Sequence, residues 1–280
     1  MEYLERRVAM VNDRLKDVTG AVEPPALSAE VEHVALAGGK RVRPTVTLLA
    51  CEAAGGDAQD AVDFAVGVEL VHNASLVVDD IIDRSEVRRN TPSAWAEYGH
   101  GPALIASDGL LGEAFGLFSS DERAMQVVSE AMVELGEGEA TELADQPDSE
   151  TAYMQLARRK TGALFRAAAE LGAIAADADG FTVEAFGEYA ERVGVAFQIR
   201  DDVLDATADG DALGKPTGQD EAMDRPSVLQ VTDLTPEAAN ERARTEADEA
   251  LAALETAGVG ESDARGYLRD LAEFVVVRER

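Results

Sequence analysis

Twice in this chain an apolar run with helical spacing ends in a cluster of aspartates, and few folds can accommodate that. The first run, Val68 to Ile82, contains Asp79-Asp80-Ile81-Ile82-Asp83 at its end. The second, Val193 to Ile199, leads into Asp201-Asp202-Val203-Leu204-Asp205. An ionised carboxylate held away from water without a partner is costly, so acids in such runs are paired, protonated or bound to a cation. Asp79 and Asp83, at i and i+4, share one helix face about 6 Å apart along the axis, and Asp80 lies roughly 100° round from Asp79. Neither motif contains a lysine or arginine. An all-oxygen donor set suits magnesium, which keeps several waters and is usually completed by substrate phosphates. One such cluster arises by chance in an acidic chain; two, each following an apolar helical run, are hard to dismiss.

The rest of the pattern is helical. Residues 4–18, 29–37 (with Ser28 as a candidate cap), 45–54, 102–118, 125–143, 152–176, 181–205, 236–257 and 262–277 read as helices, separated by glycine, proline and aspartate breaks. A long helix starting near Gln59 reaches the first aspartate motif, about 25 residues or roughly 37 Å. Helices of that length line a large core or cavity. No alternating strand pattern extends beyond a few residues, so the expected fold is all-α, a single helical domain over residues 1–280. Residues 206–226 are rich in glycine, aspartate and proline and read as a functional lid or a disordered loop.

Composition removes several function classes. Against 55 Asp+Glu stand 25 Lys+Arg, a formal charge of −30 spread along the whole chain. Such a charge opposes nucleic acid and anionic membranes as partners and resembles the acidic surface of proteins from salty cytoplasm. Only Lys16, Lys40, Lys160 and Lys215 are lysine, and three of these fall in Gly/Thr-flanked motifs. The single cysteine, Cys51, excludes an internal disulfide framework. The N-terminus has no apolar signal core and no stretch of about 18 apolar residues is evident, which predicts a soluble, cytoplasmic protein without stable membrane insertion.

Cations gather at three places. Gly38-Gly39-Lys40-Arg41-Val42-Arg43-Pro44 sets three of them in a glycine turn before a helix, an anion site or simply a basic turn on an acidic surface. Arg88-Arg89 follows the first aspartate motif and is placed to grip a phosphate that the metal also holds. Lys160-Thr161-Gly162 lies inside an alanine-rich helix, where a lysine is more often a snorkelling surface residue than a ligand.

Five motifs in this order, GGKRVRP, DDIID with RR after it, KTG, FQIRDDVLD and GKPTGQD, resemble the trans-type polyprenyl diphosphate synthase family across residues 38–220. The resemblance implies an isoprenoid-synthase-like helical bundle around a central cavity, a homodimer, and condensation of isopentenyl diphosphate with an allylic diphosphate. It implies that isopentenyl diphosphate is gripped by Lys40, Arg43 and Arg89 with His72 nearby. It further implies that Mg2+ is held by Asp79, Asp83, Asp201 and Asp205, with Asp80 and Asp202 in support. Arg88, Lys160, Thr161, Gln198 and Lys215 would contact the allylic diphosphate. In this family an aromatic residue just before the first motif commonly stops growth at fifteen carbons; here the small Ala74 and Ser75 stand there. Phe115 or Phe118 would then close the floor, and the expected product is geranylgeranyl diphosphate, with farnesyl and geranylfarnesyl diphosphate as alternatives. Asn90, Val78, Ser107 and Arg225 depart from the family pattern. A terpene cyclase generally lacks the paired motifs, and a non-catalytic partner subunit usually loses motif aspartates, all six of which are present here.

Overall fold

Glycine and proline breaks and capping side chains divide this chain into helices at nearly the places its apolar periodicity marks. The computed structural model describes residues 2–207 and 226–277. α1 (Glu2–Gly20), α2 (Pro25–Ala35), α3 (Val42–Ala53) and α4 (Ala58–Ile82) lead to a short hairpin, β1 (Val87–Arg88) with β2 (Thr91–Pro92). α5 (Ala94–Tyr98), α6 (His100–Phe118), α7 (Glu122–Ala144) and α8 (Glu150–Ala157) follow. A π-helical turn, Arg158–Gly162, joins α8 to α9 (Ala163–Ala175). α10 (Gly180–Thr207), α11 (Val228–Val231), α12 (Pro236–Thr256) and α13 (Asp263–Val277) complete the described chain.

Caps account for several starts. Asp57 accepts from Gln59 N at 2.9 Å, and Asp121 from Arg123 N at 2.7 Å, each satisfying a backbone donor the helix leaves unpaired. Ser28 is not a cap. Pro25 occupies the first helical position, where its missing N–H costs nothing, and the Ser28 hydroxyl donates to Thr19 O at 3.1 Å, tying α2 back to α1. The segment 152–176, expected as one helix, is split by the π turn.

One apolar cluster draws on α1 to α4, α6 to α10 and the closing helices. At its centre α9 is buried on almost every face and packs against α3, α4, α7 and α10. Contrary to the sequence expectation, α4 is long and apolar enough to cross a membrane, with a mean hydropathy of 1.5 over its best stretch. That stretch is 72% buried within the protein, the property of a core helix. Both aspartate motifs therefore sit at the C-terminal ends of core helices, α4 and α10, that flank α9.

Candidate active site

The glycine turn before α3 and the middle of α4 build a cationic pocket. Arg41 takes a left-handed backbone conformation (φ 52°), which turns its side chain inward. Only 4% exposed, it donates to Glu69 Oε1 at 2.5 Å, Ala35 O at 2.8 Å and Asn12 Oδ1 at 3.1 Å. Glu69 is 2% exposed. Of the three cations in the turn, Arg41 is thus structural, and Lys40 is exposed at the rim of an apolar cavity of about 390 Å³ between α1, α3 and α13.

Arg43 points into the pocket. Its guanidinium lies 4.5 Å over the Phe165 ring, and Nη1 is 3.3 Å from His72 Nε2. Arginine only donates, so His72 Nε2 accepts and the imidazole is neutral. Burial, then Arg43 and Arg89, hold its pKa well below the usual range. Burial likewise lowers Arg43 to about 10, and its Nε is buried without a hydrogen-bond partner. From the hairpin, Arg89 donates to Gly38 O at 2.5 Å and Asn73 Oδ1 at 3.2 Å, its guanidinium pressed against Gly39. Arg88 turns the other way and donates twice to Asp80 Oδ1, at 2.9 and 2.5 Å. Arg41 and Arg88 are therefore matched by Glu69 and Asp80, whereas Arg43 and Arg89 have no carboxylate at ion-pairing distance among the described residues.

The aspartates divide by role. Asp80 is 3% exposed and held by Arg88; burial raises its pKa against that pairing. Asp202, also 3% exposed, accepts from Tyr153 Oη at 2.6 Å, Val228 N at 2.7 Å and Gln198 Nε2 at 2.8 Å. The middle carboxylate of each motif thus fixes the protein around it, while Asp79, Asp83 and Asp205 are half-buried and Asp201 is exposed. Among the described residues no three carboxylates or imidazoles converge into a ready-made cage. Two separated oxygen-donor pairs fit a cation whose coordination is finished by water and phosphate.

Lys160 lies on the π turn, a feature that often marks functional sites. Its ammonium is 3.3 Å from Glu139 and in closer contact with Glu142, both on α7. It is therefore an inward-facing partner of carboxylates rather than a snorkelling surface residue. The neighbouring Thr161 hydroxyl donates to Gln198 Oε1 at 2.7 Å, which links the π turn to the second aspartate motif through Asp202. Lys215 and Arg225 lie outside the described residues.

Below the first motif, Ala74 is buried against α6 and its carbonyl accepts from Ser107 Oγ at 3.1 Å. Ser75 is half-buried and donates to His72 O at 2.9 Å. Phe118 is fully buried, with its ring 6.1 Å from that of Phe64. Its ring edge approaches Gly67 so closely that a Cβ there would meet it at 2.5 Å. Phe115 is only half-buried. Gly67 stands twelve positions before Asp79, about 18 Å along α4.

Sequence reasoning missed Glu69, Asn73, Tyr153, Glu139 and Glu142. Glu69 carried a usable signal, because an acid inside an apolar run needs a buried cation; its partner, Arg41, lies 28 residues earlier in the glycine turn, among three cations that spacing alone does not tell apart.

The polyprenyl synthetase family model matches residues 24–259. The chain is 35% identical to a short chain isoprenyl diphosphate synthase of Methanothermobacter thermautotrophicus, over 87% of this chain and 77% of the relative. It is 30% identical to a geranylgeranyl pyrophosphate synthase of Geoglobus acetivorans over 99% of both. Among solved structures, a polyprenyl synthase from Caulobacter crescentus complexed with calcium and isoprenyl diphosphate superposes with a TM-score of 0.90. That match covers 100% of this chain and 97% of the other at 29% identity.

Proposed function

The chain belongs to the polyprenyl synthetase family, a family of prenyltransferases, and from that premise we propose that it condenses isopentenyl diphosphate with an allylic diphosphate to give geranylgeranyl diphosphate. The observation that carries the reading is the convergence of Arg43, Arg89 and neutral His72 beside the first aspartate motif, with two guanidiniums lacking a carboxylate. A diphosphate is the anion that such a pocket lacks. The buried Arg43 Nε without a partner supports the same conclusion.

In this reading Lys40, Arg43, Arg89 and His72 hold isopentenyl diphosphate, and Arg88, Lys160, Thr161, Gln198 and Lys215 serve the allylic diphosphate. Asp79, Asp83, Asp201 and Asp205 would hold Mg2+, while Asp80 and Asp202 orient their surroundings. When bound, magnesium stabilises the charge that develops on the departing diphosphate. The chain's own part is to bring the two substrates together and keep water out. Lys160 and Arg88 supply positive charge where the allylic C–O bond ionises, an effect strongest in a site of low dielectric. The isopentenyl double bond attacks the resulting cation, and a proton leaves the adduct for the departing diphosphate. His72, held neutral, presents a dipole to the isopentenyl diphosphate without adding another buried charge.

We place the floor of the tail cavity at Phe118, against Gly67. The enzyme would work as a cytoplasmic homodimer on small-molecule diphosphates. The test is incubation of purified protein with Mg2+, labelled isopentenyl diphosphate and each allylic starter in turn, with products resolved by length. A discrete twenty-carbon product is expected; a fifteen- or twenty-five-carbon product corrects the floor, and no product with any starter from folded protein overturns the reading.

A further inference from the structure

Glu69 is buried among the same arginines and has no part in the reaction as proposed. It is buried on α4, it is the carboxylate that matches Arg41, and its backbone carbonyl accepts from Asn73 Nδ2 at 2.7 Å. Asn73 in turn receives Arg89. Four arginines, at 41, 43, 88 and 89, therefore meet two buried carboxylates, Glu69 and Asp80, and the surplus lies on Arg43 and Arg89. Glu69 lowers the field at both of these guanidiniums as well as neutralising Arg41.

We propose that Glu69 is a built-in counter-ion that sets the surplus positive charge of the isopentenyl diphosphate pocket, so that a diphosphate is held there yet can leave. The inference rests on the assignment of that pocket to isopentenyl diphosphate. Its chemical consequence concerns elongation. After each condensation, the new allylic diphosphate carries the phosphates that arrived on isopentenyl diphosphate, so it occupies the homoallylic pocket. Another round requires it to move to the magnesium-dependent side. A pocket with too much surplus charge would keep it and release shorter products; one with too little would bind isopentenyl diphosphate weakly.

Glu69→Gln keeps the length of the side chain and an oxygen to accept from Arg41 while deleting one negative charge. Arg41→Met deletes one positive charge and leaves Glu69 in place. Calorimetric binding of inorganic pyrophosphate to the full chain in EDTA reads this pocket with the metal-dependent side silent. Glu69→Gln should bind about ten-fold more tightly and Arg41→Met about ten-fold more weakly, the scale of one charge a few ångströms further off in a partly buried site. The pair Arg41→Met with Glu69→Leu should return close to the parent. In turnover, Glu69→Gln should also shift the product mixture toward the first condensation product, a change that a purely structural side chain would not cause. Opposite shifts that cancel in the pair support the inference. Unchanged affinity, or weakening in both single variants, overturns it. Should Glu69→Gln fail to fold, the pair decides: binding close to the parent's supports the inference, and binding as weak as in Arg41→Met alone overturns it. Arg43→Ala separates the two levels: if it leaves pyrophosphate binding intact, the pocket assignment itself fails. If Arg43→Ala abolishes binding while the charge variants change nothing, only the part given to Glu69 falls.

Discussion

Replacing Gly39 with alanine would perturb the proposed isopentenyl diphosphate site without deleting any functional group. Gly39 has φ +121°, in a region that residues with a Cβ avoid. A Cβ there would stand 2.9 Å from Arg89 Cζ and 3.1 and 3.2 Å from its two terminal nitrogens. Backbone strain of this kind costs on the order of 1–3 kcal/mol, which for a chain of this size lowers Tm by several degrees. The guanidinium must also move from its place against Gly39, loosening its bonds to Gly38 O and Asn73. A charge-assisted hydrogen bond is worth about 1.5–3 kcal/mol, so loss of one such contact to the bound diphosphate would raise KM for isopentenyl diphosphate roughly 10- to 150-fold. KM for the allylic substrate should stay within about two-fold, since Arg89 does not serve it in this scheme. Initial rates with each substrate varied in turn, together with a melting curve, make the measurement. If KM for isopentenyl diphosphate is unchanged while Tm falls, the position of Arg89 is irrelevant to binding and the reasoning fails.

Other perturbations reach other parts of the site. Asp79→Ala or Asp201→Ala should abolish turnover with little change in the melting curve; near-normal rates in either would remove those carboxylates from the metal assignment. Phe118→Ala should lengthen the product and cost about 3–5 kcal/mol of stability as a core truncation, and Ala74→Phe should shorten the product while straining the α4–α6 contact. Unaltered product length in both would put the floor elsewhere. Glu170 is buried and its pKa is raised to about 7, chiefly by burial and against the pull of Arg166. The folded state therefore binds more protons than the unfolded chain between about pH 4.5 and 7. The contribution of Glu170 is complete below about pH 4.5 and is lost as pH rises through 7. Glu170→Gln should flatten this part of the stability–pH curve in denaturant titrations; a profile parallel to the parent's would remove Glu170 as the cause.

Much of this architecture is legible in sequence because helices announce themselves through apolar spacing, and α4 runs from Ala58 to Ile82, close to where its breaks and periodicity place it. The aspartate motifs are legible for the same reason. What sequence does not carry is which carboxylate of each motif turns inward. Asp80 is selected by Arg88 from the hairpin, and Asp202 by Tyr153 and Val228, 49 and 26 residues away. Nor does spacing reveal the inward turn of Arg41, which depends on one positive φ. The π turn is silent as well, because a single wide turn leaves apolar periodicity almost intact.

That wide turn has a consequence for how the protein tolerates change. A π turn contains one residue more than an α turn, so everything after Gly162 is rotated by about 100° relative to an uninterrupted helix. The faces that α9 offers to α3, α4 and α10 thus depend on a count of residues between Ala157 and Ala163, and the identities of the exposed ones matter less. Arg158, exposed on this turn, is open to substitution yet closed to deletion. Losing it would rewind α8 and α9 into one continuous helix and carry Lys160 and the whole apolar surface of α9 away from their partners. At this point in the chain, length itself carries structural information.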